Sequence, residues 1–214
     1  MVTRILVGVI AYLIGSITFG VIISKIMAGF DVREKGSKGA GTTNVLRAVG
    51  KRAAALTLIL DILKGVVAIL ITYAVGHIMN LESGEIALLV QIAGLSVVIG
   101  HTFPIYFGFK GGKGVATAIG ILITTNWEIG LICLIFGILI IALTRMVSAG
   151  SISASILFPV LIPFLKDSFL VEGSYIVFGI LMALLVIFNH RKNIKRILNG
   201  NENKLGQKVW KKVV

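Results

Sequence analysis

A chain of 214 residues that is 57% hydrophobic and only 14% charged, with a mean hydropathy of +0.99, is no ordinary soluble domain, where about 25% of residues carry charge. The balance points to an integral membrane protein. Its net charge of +12 does not suggest nucleic acid, because the basic residues are confined to short stretches between apolar runs; anionic lipid headgroups and phosphorylated substrates fit better. The single cysteine, Cys133, excludes an intramolecular disulfide and reads as packing.

Seven apolar segments follow one another, at 4–26, 53–76, 86–107, 113–125, 129–144, 150–166 and 174–190. The first has no Ala-x-Ala cleavage site and is too long for a signal-peptide core, so it is expected to stay as a helix. The fourth and fifth fall short of the roughly 20 residues of a full span. The expected fold is therefore an all-α polytopic bundle of about seven transmembrane helices, or five if the short pair is reentrant. Residues 1–203 form one transmembrane domain and 204–214 a basic tail.

The connections alternate in charge. Arg33, Lys35, Lys38, Arg47, Lys51 and Arg52 separate the first two spans, whereas Gly76–Glu85 holds no Lys or Arg. Lys110 and Lys113 come next, then Asn126-Trp127-Glu128 without a base, then Arg145. Lys166, Asp167 and Glu172 occupy the following loop, and Arg191, Lys192, Lys195, Arg196, Lys204, Lys208, Lys211 and Lys212 the end of the chain. The positive-inside rule puts the first loop, Lys110–Lys113, Arg145 and the tail in the cytoplasm, with the N-terminus outside.

In chain order, the first motif is Gly36-Ser37-Lys38-Gly39-Ala40-Gly41-Thr42-Thr43-Asn44, followed by Arg47. Its glycines permit positive φ, and successive N–H groups in such a turn make a concavity for an anion. No Gly-Lys-Ser/Thr follows at the spacing of a Walker A loop. Asp61 and Lys64 stand inside the second span, where an ionisable pair is either functional or a structural salt bridge. The third span ends at Gly100-His101. After it comes Phe109-Lys110-Gly111-Gly112-Lys113-Gly114-Val115-Ala116-Thr117, a glycine-rich dibasic break at a membrane boundary. Irregular backbone there must line water or protein, and freed N–H groups beside two lysines suit a phosphate. Arg145 and Ser148, Ser151 and Ser155 mark the sixth segment, where small residues also serve helix packing. The last motif is Asn189-His190-Arg191-Lys192-Asn193-Ile194-Lys195-Arg196; on a continuing helix, His190 and Asn193 share a face. The three histidines have no Cys or His partner at ligand spacing, so neither a metal nor another cofactor is expected.

With Gly15-Ser16-Ile17, the Gly36–Asn44 loop, Asp61-x-x-Lys64-Gly65, Gly100-His101-x-Phe103-Pro104, Phe107–Thr117 and His190-Arg191-x-Asn193-Ile194-x-Arg196 in view, the chain resembles the bacterial acyl-phosphate:glycerol-3-phosphate acyltransferase family of the PlsY type over nearly its whole length. One loop departs from the family pattern, Gly-Ser-Gly-Asn-x-Gly-Ala-Thr-Asn: Lys38-Gly39 replaces Gly-Asn and Thr42 replaces Ala. No role of the missing Asn is carried over.

The resemblance implies transfer of a fatty acyl group from acyl phosphate to the 1-hydroxyl of glycerol 3-phosphate, giving lysophosphatidic acid and phosphate. It places the enzyme in the bacterial cell membrane with its site on the cytoplasmic side, and implies a PlsX-type acyl-phosphate synthase as partner. Arg47, Lys113, His190 and Asn193 are expected to hold glycerol 3-phosphate, with Ser37 near its hydroxyls. Gly41, Thr43, Asn44, Gly111 and Gly112 are expected to cradle the acyl phosphate, and Lys110, His101, Arg145 and Ser148 to support the site. Ser37, Lys113 and His190 are the catalytic candidates; the base is either His190 or the acyl phosphate's own oxygen. His77-x4-Glu82 matches the His-x4-Asp pair of other acyltransferases only in spacing and is set aside. A transporter for an anionic solute and a lipid-bound scaffold are the competing classes. No inverted repeat supports the first, and loss of activity on deleting 204–214 would support the second.

Overall fold

In the computed structural model, residues 1–164 and 173–206 are described. Lys166, Asp167 and Glu172, and the tail bases Lys208, Lys211 and Lys212, lie outside the described residues. Among those described there is helix and loop but no strand.

The first apolar segment forms α1 (Val2–Gly15) and α2 (Phe19–Ala28), interrupted at Ser16–Thr18. A break inside a span frees carbonyls that lipid cannot satisfy. Lys64, on α4 (Lys51–Ile78), satisfies them: its Nζ donates to Gly15 O at 3.0 Å and Ile17 O at 2.9 Å. The same Nζ lies 3.0 Å from Asp61 Oδ1, one helical turn away. The intramembrane pair is thus a fastening for the broken first span, the structural alternative of the two that the sequence left open.

The first loop carries α3 (Thr42–Ala48). Beyond α4, α5 (Ser83–Thr102) runs through the middle of the bundle. Two-thirds of its apolar window (67%) is buried, against 22–39% for the other spans, and it packs on α1, α4, α6 and α9. It meets α1 backbone to backbone: a Cβ on Gly15 would strike Val97 O, and one on Gly100 would strike Tyr12 O. Close approach of this kind is how helices pack in lipid, where no hydrophobic force acts between them.

α6 (Val115–Thr125) has 11 residues. At 1.5 Å per residue that is about 16 Å, half of a hydrocarbon core of about 30 Å. α7 (Trp127–Thr144) starts two residues before the apolar segment at 129–144 and, with 18 residues, is long enough to cross. Only Asn126 separates α6 from α7, and its side chain caps α7 by accepting from Ile129 N at 3.1 Å. α8 (Val147–Leu161) and α9 (Gly173–Asn189) complete the bundle. α9 does not continue as the sequence suggests: at His190 the chain bends by 63° into the short α10 (Arg191–Leu198). Five helical segments are long and apolar enough to cross a membrane, or six with the bent α9–α10 pair, within the expected five to seven. Exposed Ile, Leu, Val and Phe side chains along α1, α4, α7 and α9 give the bundle a lipid-compatible surface.

Candidate functional site

The glycine turn is built on the last turn of α5. Gly111 N donates to Thr102 O at 3.1 Å and Gly112 N to His101 O at 3.0 Å. These amides are therefore not the free donors expected from the sequence: α5's terminal carbonyls, orphaned where the helix stops, take them up. Among the described residues, the N–H groups of Val115, Ala116 and Thr117, which precede the first helical bond of α6, Ala118 N to Gly114 O, have no acceptor. His101 is buried beneath the turn, its Nδ1 3.5 Å from Asp61 Oδ1. A Cβ on Gly112 would land on His101 Nε2, so that glycine is required by close approach. His101 supports the turn from below and does not line an opening.

The first loop is organised by Asn44. Its Nδ2 donates to the carbonyls of Val32, Lys35 and Gly39 at 2.9, 3.1 and 2.8 Å, and its Oδ1 accepts from Ser37 N at 3.0 Å. Both ends of the amide are committed, so Asn44 shapes the loop, and its side chain has no capacity left for the acyl phosphate assigned to it above. N–H groups of Gly41, Thr42 and Thr43, at the start of α3, have no intramolecular acceptor among the described residues. Lys38, which stands where the family pattern has glycine, takes φ +58°, a left-handed value uncommon outside glycine. Ser37 is exposed beside it. The loop is tied to the turn by Ala40 N, which donates to Gly111 O at 3.2 Å.

The third component comes from the far end of the sequence. Lys113 Nζ donates to Asn193 Oδ1 on α10. Asn193 Nδ2 donates to Glu202 Oε1 at 2.7 Å, Ser148 Oγ to the same oxygen at 2.9 Å, and Arg196 Nε to Glu202 Oε2 at 2.8 Å. Arg47 reaches Asn203 O at 3.5 Å. Burial pushes the Lys113 ammonium down to about 8, against the pull of Glu202 and assisted by Arg196 and Arg47. Burial raises Glu202, but hydrogen bonds from Arg196, Asn193 and Ser148 outweigh it and hold the carboxyl below its ordinary range. Three cations thus face one carboxylate, and the excess positive charge suits a dianion. His190, 2% exposed, places Nδ1 2.8 Å from Val186 O. That contact requires the proton on Nδ1, which leaves Nε2 as an acceptor in the neutral ring.

Lys113, His190, Asn193, Arg47 and Ser148 therefore gather at one end of the bundle. Arg145 does not join them: its guanidinium donates to Leu205 O at 2.9 Å and its own carbonyl accepts from Leu205 N at 2.7 Å, pinning the segment that carries Glu202. The Lys110 side chain is exposed. Asn189, Arg196 and Glu202 of the cluster carried no role in the sequence analysis. Asn189 Nδ2 donates to Thr102 Oγ1 at 3.1 Å and Lys113 O at 3.4 Å. Glu202 was legible only as the lone acid between residues 191 and 214.

Beside the cluster, between α6, α7, α8 and α9, opens an apolar groove with a cavity volume of about 120 Å³. Val115, Ile141, Gly150 and Val186 line its near end; Cys133 and Phe158 lie deeper. Phe158 is fixed there by edge-on contacts to Tyr175 and Phe178, with centroids at 6.0 and 6.1 Å. A polar cluster and an apolar groove that share Val115 and Val186 can hold an amphiphile with an anionic head.

Among known proteins, the family model described as glycerol-3-phosphate acyltransferase matches residues 5–200. A curated glycerol-3-phosphate acyltransferase of Clostridioides difficile (strain 630) is 42% identical over 204 residues, covering 95% of this chain and 96% of its own. That of Thermoanaerobacter sp. (strain X514) is 44% identical, covering 96% and 97%. The crystal structure of PlsY, an integral membrane glycerol 3-phosphate acyltransferase, in its glycerol 3-phosphate form superposes with a TM-score of 0.81 at 37% identity, over 95% of this chain and 96% of that one. Its lysophosphatidic acid form gives 0.79 at 35%, over 95% of each.

Proposed function

The chain belongs to the glycerol-3-phosphate acyltransferase family, and from that membership we propose that it moves a fatty acyl group from acyl phosphate to the 1-hydroxyl of sn-glycerol 3-phosphate. The products are 1-acyl-sn-glycerol 3-phosphate and inorganic phosphate. The observation that carries this reading is the shared wall between the cationic cluster and the apolar groove: Val115 lines the groove two residues after Lys113, and Val186, whose carbonyl binds His190, lines it from α9.

In this reading Lys113 and Arg47 hold the phosphate of glycerol 3-phosphate, with Asn193 and His190 orienting the glycerol and Ser37 near its hydroxyls. The open amides of Gly41 and Thr43 face the acyl phosphate, and its chain lies in the groove. The 1-hydroxyl oxygen attacks the acyl carbon, the carbon–oxygen bond to phosphorus breaks, and the hydroxyl proton leaves with the phosphate. Acyl phosphate is a mixed anhydride with a good leaving group, so positioning supplies most of what the reaction needs, an effect that reaches about 7–11 kcal/mol in favourable cases. His190 Nε2, the ring nitrogen not engaged by Val186 O, is the alternative acceptor of the hydroxyl proton. His190→Gln separates the roles: a raised KM at near-normal kcat means orientation, whereas loss of kcat at saturating glycerol 3-phosphate makes His190 the base.

The site lies on the cytoplasmic side of a bacterial cell membrane in this reading, because the strongly basic connections among the described residues fall at its end of the bundle. A PlsX-type synthase supplies the acyl phosphate. The deciding experiment is phosphate release by the purified protein from palmitoyl phosphate, with and without glycerol 3-phosphate. Release that depends on glycerol 3-phosphate and equals the lysophosphatidic acid formed supports the reading. Activity only with palmitoyl-CoA or acyl carrier protein as donor overturns the donor assignment, and no transfer from any donor overturns the reaction.

A further inference from the structure

The turn that presents Lys113 contains two consecutive residues in the left-handed region, Gly108 at φ +65° and Phe109 at φ +58°. Glycine adopts such values freely, but for a bulky residue they are an outlier that surrounding structure must enforce. Burial does not enforce this one, since Phe109 is 57% exposed. Its N–H and that of Phe107 both donate to Pro104 O, at 2.9 and 3.2 Å, which holds the near side of the turn only.

The other side is held by a residue from a different loop. Arg33 Nη1 donates to Phe107 O at 2.6 Å and to Lys110 O at 2.9 Å, the carbonyls immediately before and after the left-handed pair. The rest of the guanidinium is anchored on Asp31, with Nε 3.0 Å from Oδ1 and Nη2 2.8 Å from Oδ2. Of the five N–H donors of a guanidinium, four are committed by these bonds, and the charge is matched by a carboxylate that Arg33 holds below its usual range. Little remains with which to bind a phosphate directly.

We infer that Arg33 is a positioning residue: it fastens the carbonyls flanking Gly108–Phe109 and so fixes the path of Gly111–Lys113. With the Ala40–Gly111 bond, it makes the first loop and the glycine turn one unit, so that the segments assigned to the two substrates keep their spacing. The consequence for substrate rests on the acyltransferase reading; the consequence for the turn does not.

The test is Arg33→Lys, which keeps the charge but replaces the planar fork with a single ammonium that cannot span two carbonyls and a carboxylate. The KM for glycerol 3-phosphate is expected to rise about tenfold with kcat changed by less than about threefold, the size of effect that released backbone strain allows. In a Phe109→Asn background, where the side chain tolerates the left-handed region, the same substitution should cost about threefold or less, a coupling that a double-mutant cycle reads directly. Hydrogen exchange across 108–114 should quicken severalfold in Arg33→Lys while α4 is unchanged. That measurement decides the inference even if wild-type protein transfers no acyl group, an outcome that would overturn the proposed reaction alone. Unchanged KM and exchange, or an equal loss in both backgrounds, overturns the inference. Should Arg33→Lys fail to fold, Asp31→Asn takes its place: quickened exchange over 108–114 supports the clamp, and no change overturns it.

Discussion

Among the described residues, two clusters of ionisable side chains teach different things. Asp61, Lys64 and His101 are sealed among the spans, 1–4% exposed, and their polar contacts go to one another and to the carbonyls of the broken first span. Lys113, Arg47, Arg196 and Glu202, with Asn193 and Ser148, sit at the end of the bundle and carry more positive charge than their carboxylate can match. A balanced, closed cluster builds the molecule. An unbalanced one at a groove mouth is, in the proposed reading, where the phosphate binds.

The sharpest way to break this comparison is to remove one cation from each. Lys113→Ala should lower kcat/KM by roughly 10²–10³, the 2–5 kcal/mol typical of losing one side of a buried charge pair, with thermal stability nearly unchanged. Lys64→Met should do the reverse in kind. It strands Asp61 and two backbone carbonyls in the bundle and should cost about 3–5 kcal/mol of stability, seen as a lower Tm in detergent, while surviving folded enzyme keeps its KM. If Lys113→Ala instead lowers Tm as far as Lys64→Met, the distinction between the clusters fails.

The groove gives a somewhat smaller effect. Ala154→Leu, on the α8 wall of the groove, should reduce turnover of palmitoyl phosphate by about 10-fold, the cost of forcing a chain past an overpacked wall being about 1–3 kcal/mol. A short-chain acyl phosphate should react as before; equal losses for both chain lengths would detach the groove from the acyl chain.

The smallest effect is in pH. With the Lys113 ammonium at about 8, its charge in the free enzyme is complete below that value and lost above it. The kcat/KM for glycerol 3-phosphate should fall as pH rises through about 8, and the fall should vanish in Lys113→Arg. Stability moves the other way. The folded value lies below the ordinary 10.5, so the unfolded chain binds the proton more tightly and stability rises between about pH 8 and 10.5. Chemical denaturation at pH 8 and pH 10 checks the sign.

Much of this was legible in the residues themselves. Seven apolar segments, the alternation of basic connections and the glycine motifs announce a helical membrane protein with phosphate chemistry, because apolar length and local charge are properties of contiguous sequence. The glycine motifs carried the family resemblance, and the family is the one the comparisons give. What the residues could not convey was which polar groups satisfy which. Asn44 and the Gly111 and Gly112 amides look like ligand donors in sequence, yet loop carbonyls and the end of α5 consume them. His190 and Asn193 look like neighbours on one continuous helix, yet a 63° bend separates α9 from α10.

The sequence by itself therefore determined the solvent, the helices and the residue types available for an anion, all of which depend on runs of a few to some twenty residues. Tertiary structure alone decided that Glu202 closes on Lys113's partner Asn193, that Lys64 fastens a break 47 residues away, and that Arg33 grips a turn 74 residues on. The reason is that a buried polar group must find its partner wherever the fold brings one, and the distance along the chain puts no limit on where that is.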